Sequence, residues 1–324
     1  MDNVTHTLVG LMMSRAGIDR RVPRAAALMM MAANVPDIDG VSIFKPELYL
    51  QWHRGYLHSL ACSPLVALIP PLLLLLFKRQ RITLGLWFFS WLGVLSHLAL
   101  DWTNAYGIRL LLPFSDRWLR LDMTELFDPW ILVILFLALA APALASLVSM
   151  EIASARRAKA GPKRGWAWFA IVAVIAYDGF RYTAHERALA ELNAHIYNGV
   201  IARRITALPT GGPNVWRWKG IVEEPDFVTM VPVDLNETFD PTAGTIDYPA
   251  QPSPAMTAAR ATQAFRVFEK FDQVPFWKST PVDGGTEIEL IDLRFGSPQH
   301  PGFEASALVD ESGAVHGASV RFGR

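Results

Sequence analysis

Four stretches of this chain, residues 60–77, 82–100, 130–150 and 166–177, contain no Asp, Glu, Lys or Arg. Apolar runs of roughly 18 or more residues read as helices long enough to cross a bilayer. The first three qualify directly, and the fourth extends to Tyr182 if Asp178 and Arg181 sit at the interface. The runs account for a composition of 52% hydrophobic and only 19% charged residues, where soluble domains carry roughly 25% charged. They exclude a disordered chain, a coiled coil and a fully soluble enzyme. A single cysteine, Cys62, excludes a disulfide scaffold.

Residues 4–13 and 25–35 are apolar but too short to be clear spans, and each reads as a short membrane helix, a re-entrant piece or a packed helix. The start does not read as a cleaved leader, because Asp2 precedes the apolar run and the arginines follow it. Connector 15–24 carries Arg15, Arg20, Arg21 and Arg24 against Asp19, a net +3. Connector 78–81 is also +3, and connector 151–164 is +4, so the rest of this neutral chain is −10. The positive-inside rule places these connectors on the cytoplasmic side. Alternation then puts His6, residues 36–59, the loop 101–129 and everything after Tyr182 on the outer face. The expected architecture is an α-helical integral membrane bundle of four clear spans plus two short N-terminal helices, in a bacterial plasma membrane. A small α+β extracytoplasmic domain follows it.

The expected divisions are a membrane domain over residues 1–182, a connecting helix over 183–208 and a soluble domain over 209–324. The cluster 209–214, with Gly211 and Gly212, breaks the connecting helix. Alternation predicts strands at 215–222, 227–235, 286–295 and 315–322, and Phe265, Phe268 and Phe271 predict one helix over 256–271. Gly313 marks a hairpin turn, and the Pro-rich 241–254 a surface loop. The tail is acidic and carries no nucleic-acid motif, so no nucleic-acid partner is expected. Its expected role is accessory, covering a site or binding a protein partner, with His300 and His316 at a loop and a strand surface.

Four of the eight histidines, His6, His53, His58 and His97, fall in the first hundred residues, and on this topology all lie near the outer helix ends. Asp37, Asp39 and Asp101 join them. His97 and Asp101 are four residues apart and so share a helix face. Ionisable groups at membrane depth point to function and a named partner; imidazole with carboxylate suits zinc and its first-row neighbours. The metal set predicted is His6, Asp37, Asp39, His53, His58, His97 and Asp101, holding one or two divalent ions, zinc above others. The bland alternative for each is a cap, a turn or a surface pair. His185 and His195 are expected at ordinary surface positions, and Trp87, Trp91, Trp102, Trp118 and Trp130 as an interfacial belt.

The ordered series of residues 2–10, Pro36-Asp37-Ile38-Asp39, His53-Arg54-Gly55-Tyr56-Leu57-His58-Ser59, His97 to Asp101, Gly107 and Pro113-Phe114-Ser115 resembles the bacterial membrane-bound metal-dependent hydrolases of the YdjM and YbcI type. The resemblance covers roughly residues 1–130. That family is in turn similar to zinc-dependent phospholipase C, which implies phosphoester hydrolysis. Two departures stand out: no histidine follows closely after Asp101, and the chain opens on Met1 where the phospholipases use a processed amino terminus.

In a hydrolytic site Asp37 or Asp39 would bridge metals or act as general base. Arg54 would pair with a phosphate of a membrane lipid or lipid-linked substrate through its planar fork, or else be an interfacial arginine. Three classes follow: a membrane metallohydrolase, a metal-binding transporter or sensor, and a structural membrane scaffold. The absence of charge in the middle of the apolar runs favours the hydrolase over an ion path.

Overall fold

The computed structural model describes residues 1–152 and 163–322 and separates into two compact units. The first comprises Met1–Ile38, Arg54–Thr183 and Gly211–Val215, the second Asp39–His53, Ala184–Thr210 and Trp216–Arg324. Most of connector 151–164 lies outside the described residues.

In the first unit α1 (Asn3–Arg15) starts at Asp2, whose carboxylate accepts the Val4 and Thr5 N–H groups, two donors with no partner inside the helix. The other helices are α2 (Ala25–Ala32), α4 (Ser63–Val66), α5 (Ile69–Lys78), α6 (Leu84–Thr103), α7 (Pro129–Ile152) and α8 (Lys163–Asn193), the last running on into the second unit. α3 (Pro46–Trp52) belongs to the second unit.

Two glycines let α1, α2 and α6 approach one another. A Cβ on Gly10 would lie 2.5 Å from the Met29 carbonyl oxygen, and one on Gly93 would lie 2.6 Å from Ala32 Cβ. Small residues permit such backbone proximity where bilayer apolarity gives helices little reason to associate. Asn34 Nδ2 donates to Thr7 Oγ1 at 2.9 Å, a further tie between α1 and the end of α2.

Among the described residues one helix, Leu84–Thr103, is long and apolar enough to cross a membrane by length and composition, and two bent helix pairs would raise the number to three if each were one broken span. Four clear spans are thus more than these residues confirm. Residues 60–77 do not form one helix: Pro64, Pro70 and Pro71 lack N–H donors, and the stretch divides into α4 and α5. α7 has 24 residues, of which Pro129–Ala145 counts as a shorter apolar helix. Trp166 to Tyr182 lies within α8, which does not pass the same criteria.

The second unit holds two four-stranded antiparallel sheets. One has the order β1 (Arg204–Pro209), β2 (Arg217–Glu223), β3 (Val228–Asp234), β4 (Thr245–Asp247); the other β5 (Pro275–Val282), β6 (Gly285–Asp292), β7 (Phe303–Val309), β8 (Val315–Phe322). Ala184, Ala188 and Leu192 of α8 share a core with Trp218, Val222 and Val231 of the first sheet. The helix expected over 256–271 is two, α9 (Pro254–Arg260) and α10 (Gln263–Phe271), because Thr262 caps a new start with its side chain. The connecting helix ends at Asn193 rather than running to 208, and β4 interrupts the expected loop 241–254. The Asp310–Gly313 turn joins β7 to β8, with Gly313 at φ +85°. α3 packs in this unit too, its Tyr49 ring 5.4 Å from that of Phe322.

Candidate metal centre

α6 carries His97 and Asp101 one turn apart on its buried face, both with no solvent exposure. His58 ends the 3-10 turn Tyr56–His58, which follows Arg54 at φ +53°. Asp37 sits in the 3-10 stretch after Pro36, where a short acidic side chain suits the turn.

These four side chains form a cluster that could hold a metal ion. His97 Nε2 lies 3.1 Å from His58 Nε2, 3.4 Å from Asp101 Oδ2 and 3.6 Å from Asp37 Oδ1. His58 Nε2 lies 3.2 Å from Asp37 Oδ1 and 3.6 Å from Asp101 Oδ2. Four ligands around zinc at about 2.0–2.1 Å in a tetrahedron stand about 3.3–3.4 Å apart. The five separations bracket that value.

The groups behind the cluster fix its orientation. His97 Nδ1 lies 2.8 Å from the Ala33 carbonyl oxygen, which can only accept. The proton therefore sits on Nδ1, and Nε2 presents its lone pair to the cluster. Asp101 Oδ1 accepts from Arg54 Nη2 at 3.1 Å and from the Met1 amino group, whereas Asp101 Oδ2, the oxygen facing both imidazoles, is buried without a hydrogen bond. One oxygen is anchored and the other is left for a ligand. A buried carboxylate oxygen in that state calls for a cation. The donor set and this atom together fit a divalent metal.

Arg54 is 2% exposed. Its Nη1 donates to Asn104 Oδ1 at 3.0 Å and to the Gly107 carbonyl at 2.9 Å, and its guanidinium lies 4.5 Å from the centre of the Tyr106 ring. The fork expected to grip a phosphate thus grips Asp101 and the loop after α6. Asn104 also accepts the Tyr106 and Gly107 N–H groups at 2.9 and 3.4 Å, shaping that loop.

A family model described as YdjM inner membrane protein matches residues 1–188 of this chain. The chain belongs to that family. The matched stretch contains every residue of the quartet, and with the apolar α6 it makes this a membrane protein. The uncharacterized protein YfhP of Bacillus subtilis (strain 168) is 26% identical over 318 residues, covering 94% of this chain and 90% of that protein. The similarity therefore runs through the C-terminal strands as well as the matched region. No solved structure matches the chain.

The remaining predicted residues fall in three places. His6 is fully buried and stacks on His97, ring centres 3.8 Å apart, with Nε2 3.4 Å from Asp101 Oδ1; it packs against the quartet. Asp39 and His53 belong to the second unit, where His53 Nδ1 lies 2.8 Å from Asp39 Oδ1. His185, expected at the surface, is buried there, its Nε2 3.1 Å from the Ala207 carbonyl; the helix that carries it is covered by the first sheet. His316 is exposed as expected, whereas His195 is half-buried, its Nδ1 2.9 Å from the Glu191 carbonyl.

Sequence reasoning missed Asn104, Tyr106 and the Ala33 carbonyl. The first two fall in the non-helical turn just after α6, where no periodicity marks a side chain, and a backbone carbonyl has no sequence signal at all. Trp87 and Trp91 are not simply a belt. Their indole N–H groups donate to the Pro64 carbonyl at 2.9 Å and Ser63 Oγ at 2.8 Å, holding α4 against α6.

Proposed function

We propose that this chain is a membrane-embedded metal-dependent hydrolase acting on a phosphoester of a lipid or lipid-linked envelope substrate. The observation that carries the reading is the quartet Asp37, His58, His97 and Asp101, with five separations of 3.1–3.6 Å at the end of an apolar helix. His58, His97 and Asp101 would hold a divalent cation, zinc first among candidates for imidazole with carboxylate, and would leave its remaining position to water beside Asp37. When bound, such an ion supplies an acidic water and polarises the bond under attack.

The chain's own contribution is orientation. Arg54 keeps Asp101 in one rotamer, Ala33 keeps the His97 proton on Nδ1, and the His6 ring excludes water from one side of the cluster. Asp37, 11% exposed at its side chain where Asp101 is closed, is the quartet carboxylate open to a reactant and the one assigned the general-base role.

The proposal includes multi-pass insertion with the quartet at the outer face and the second unit outside the cytoplasm. Its support lies within the first unit. Arg24 Nη1 reaches the Lys78 carbonyl at 3.4 Å, and Arg164 Nε reaches the Ala16 carbonyl at 3.0 Å, so the three basic connectors meet. They meet at the end of α1 and α6 opposite the quartet, and α6, with 20 residues, spans about 30 Å, the thickness of a hydrocarbon core.

The test is metal analysis of the purified chain, paired with hydrolysis of lipid and lipid-linked phosphodiesters by wild type and Asp37→Asn. Bound zinc or a similar ion, with hydrolysis lost in the variant, is the expected result. Metal bound with no hydrolysis of any phosphodiester would turn the reading toward a metal sensor or transporter. A metal-free protein after zinc loading would end it.

A further inference from the structure

A cavity of about 760 Å³ lies in the first unit between α1, α6, α7 and α8, and no residue of the quartet lines it. Its walls follow helix faces. The lining runs from Phe89 to Thr103 on α6 and from Arg164 to Asp178 on α8, mostly in steps of three and four residues, the spacing of one helix face. Fourteen residues at 1.5 Å each make the cavity about 21 Å long. That exceeds one leaflet's half of a hydrocarbon core, about 15 Å. Between the ends the walls are apolar, with Met12, Leu100 and Ile171 among them, apart from Ser96, whose hydroxyl donates to the Gly93 carbonyl at 2.7 Å.

The two ends differ in charge. Arg20, Arg21 and Arg164 line one end. Arg164 Nε and Trp168 Nε1 both donate to the Ala16 carbonyl at 3.0 Å, which fixes the guanidinium at the mouth. Gly17, at φ +144°, leaves room beside it: a Cβ there would lie 3.6 Å from the Arg164 guanidinium carbon. At the far end the lining closes on Thr103 and Asp178, and Asp178 is the single acidic residue among the lining residues.

A long apolar slot with three cations at one mouth has the polarity of an amphiphile with an anionic head. Guanidinium groups match phosphate oxygens through paired donors, and basic pockets between membrane helices take anionic lipid heads. A free anion would leave some 20 Å of apolar wall unused, and a zwitterionic lipid would bring a second cation among the arginines. We propose that this cavity binds an anionic phospholipid, its phosphate on Arg20, Arg21 and Arg164 and an acyl chain laid along α6 and α8 toward Asp178. The site is separate from the metal quartet, and the lipid is a resident ligand whether or not the quartet hydrolyses anything.

The experiment is native mass spectrometry of the full chain released from a neutral detergent. Phosphatidylglycerol and phosphatidylcholine of identical acyl composition are offered at equal concentration. Wild type is expected to retain phosphatidylglycerol at least about tenfold over phosphatidylcholine. The variant Arg20→Ala/Arg21→Ala/Arg164→Ala should lose that preference. Ala99→Trp, which fills the slot from α6 with the arginines intact, should lose the lipid adduct itself, and Ser96→Phe replaces it if its melting curve shows misfolding. Equal retention of the two lipids by wild type would overturn the proposal. So would a preference that survives the triple variant, a folded slot-filling variant that keeps its adduct, or inorganic phosphate displacing the lipid at equal concentration.

Discussion

His97 and His58 face each other through their Nε2 atoms at 3.1 Å, while the opposite nitrogen of His97 is held on the Ala33 carbonyl. That carbonyl assigns the His97 proton to Nδ1, so the His97 Nε2 lone pair points at a second imidazole and two carboxylates. Such a grouping is stable only with a positive charge among its members, whether a proton or a metal. Metal is the expected occupant. The purified chain should therefore bind one divalent ion per quartet, and His97→Ala or His58→Ala should weaken zinc binding by more than the roughly 10–100-fold typical of a supporting residue. Competition against a chromophoric chelator measures it. Unchanged affinity in both variants would remove these histidines from the ligand set.

Arg54 offers a different signature. It donates to Asp101, Asn104 and the Gly107 carbonyl and is 2% exposed, so its removal takes a donor from three buried oxygens and leaves Asp101 Oδ1 to the Met1 amino group. Arg54→Ala should destabilise the chain by about 1–3 kcal/mol and weaken metal binding roughly 10–100-fold. Arg54→Lys keeps the charge but not the fork, and should recover part of the stability with little of the metal affinity. Thermal melts with and without zinc separate the two effects. A residue that gripped substrate instead would leave metal content unchanged.

How far the site could be read from sequence depends on which forces build it. His97 and Asp101 were legible because one helix fixes both through its own periodicity. His58 and Asp37 were legible as residue types out of place near a membrane, although nothing local dictates that their atoms reach the same point. The support was not legible. Ala33 contributes a carbonyl that any residue would supply, and Asn104 acts through a turn whose shape depends on Arg54, fifty residues earlier. The same limit applies to the fold. Proline content explains the division of residues 60–77 into two helices only in retrospect, because apolar composition is blind to missing N–H donors. α3 packs in the second unit through contacts such as Tyr49 with Phe322, a pairing across most of the chain that no window of sequence contains. Strands β2, β3, β6 and β8 alternate and were predicted; β5 carries Pro275 and Pro281 and few buried positions, and so gave no such pattern.

Gly93 and Gly85 give a matched pair on one helix. A Cβ on Gly93 would meet Ala32 Cβ at 2.6 Å, and one on Gly85 would meet nothing within 4 Å. Gly93→Ala should force α2 and α6 apart at a cost of about 1–3 kcal/mol. Because α2 ends at the carbonyl that orients His97, it should weaken metal binding too. Gly85→Ala should be neutral or stabilising by up to about 1 kcal/mol, since alanine favours helix over glycine. Thermal melts of the two variants in one detergent compare them directly. Equal effects would mean that the approach of α2 to α6 at Gly93 contributes nothing.

Glu224 lies between β2 and β3, buried, with Oε1 accepting from Thr229 Oγ1 at 3.2 Å and Oε2 without a hydrogen bond. Burial raises its pKa from the ordinary 4.5 to about 7, against the smaller opposing effect of the Thr229 hydrogen bond. Between these values the folded chain holds a proton that the unfolded chain has released. Stability is thus highest below about 4.5 and falls as pH rises through about 7. This is the opposite direction from a salt-bridged carboxylate. Other groups add slopes of their own, Asp272 among them, raised by burial and by Asp292, so the decisive quantity is a difference between two proteins. Glu224→Gln keeps the shape and an acceptor for Thr229 but cannot ionise. Its melting temperature relative to wild type should rise steadily from pH 4.5 to pH 7.5 and then level off. A difference independent of pH would show that Glu224 is ionised in the folded chain throughout, with its charge met by a partner or by water.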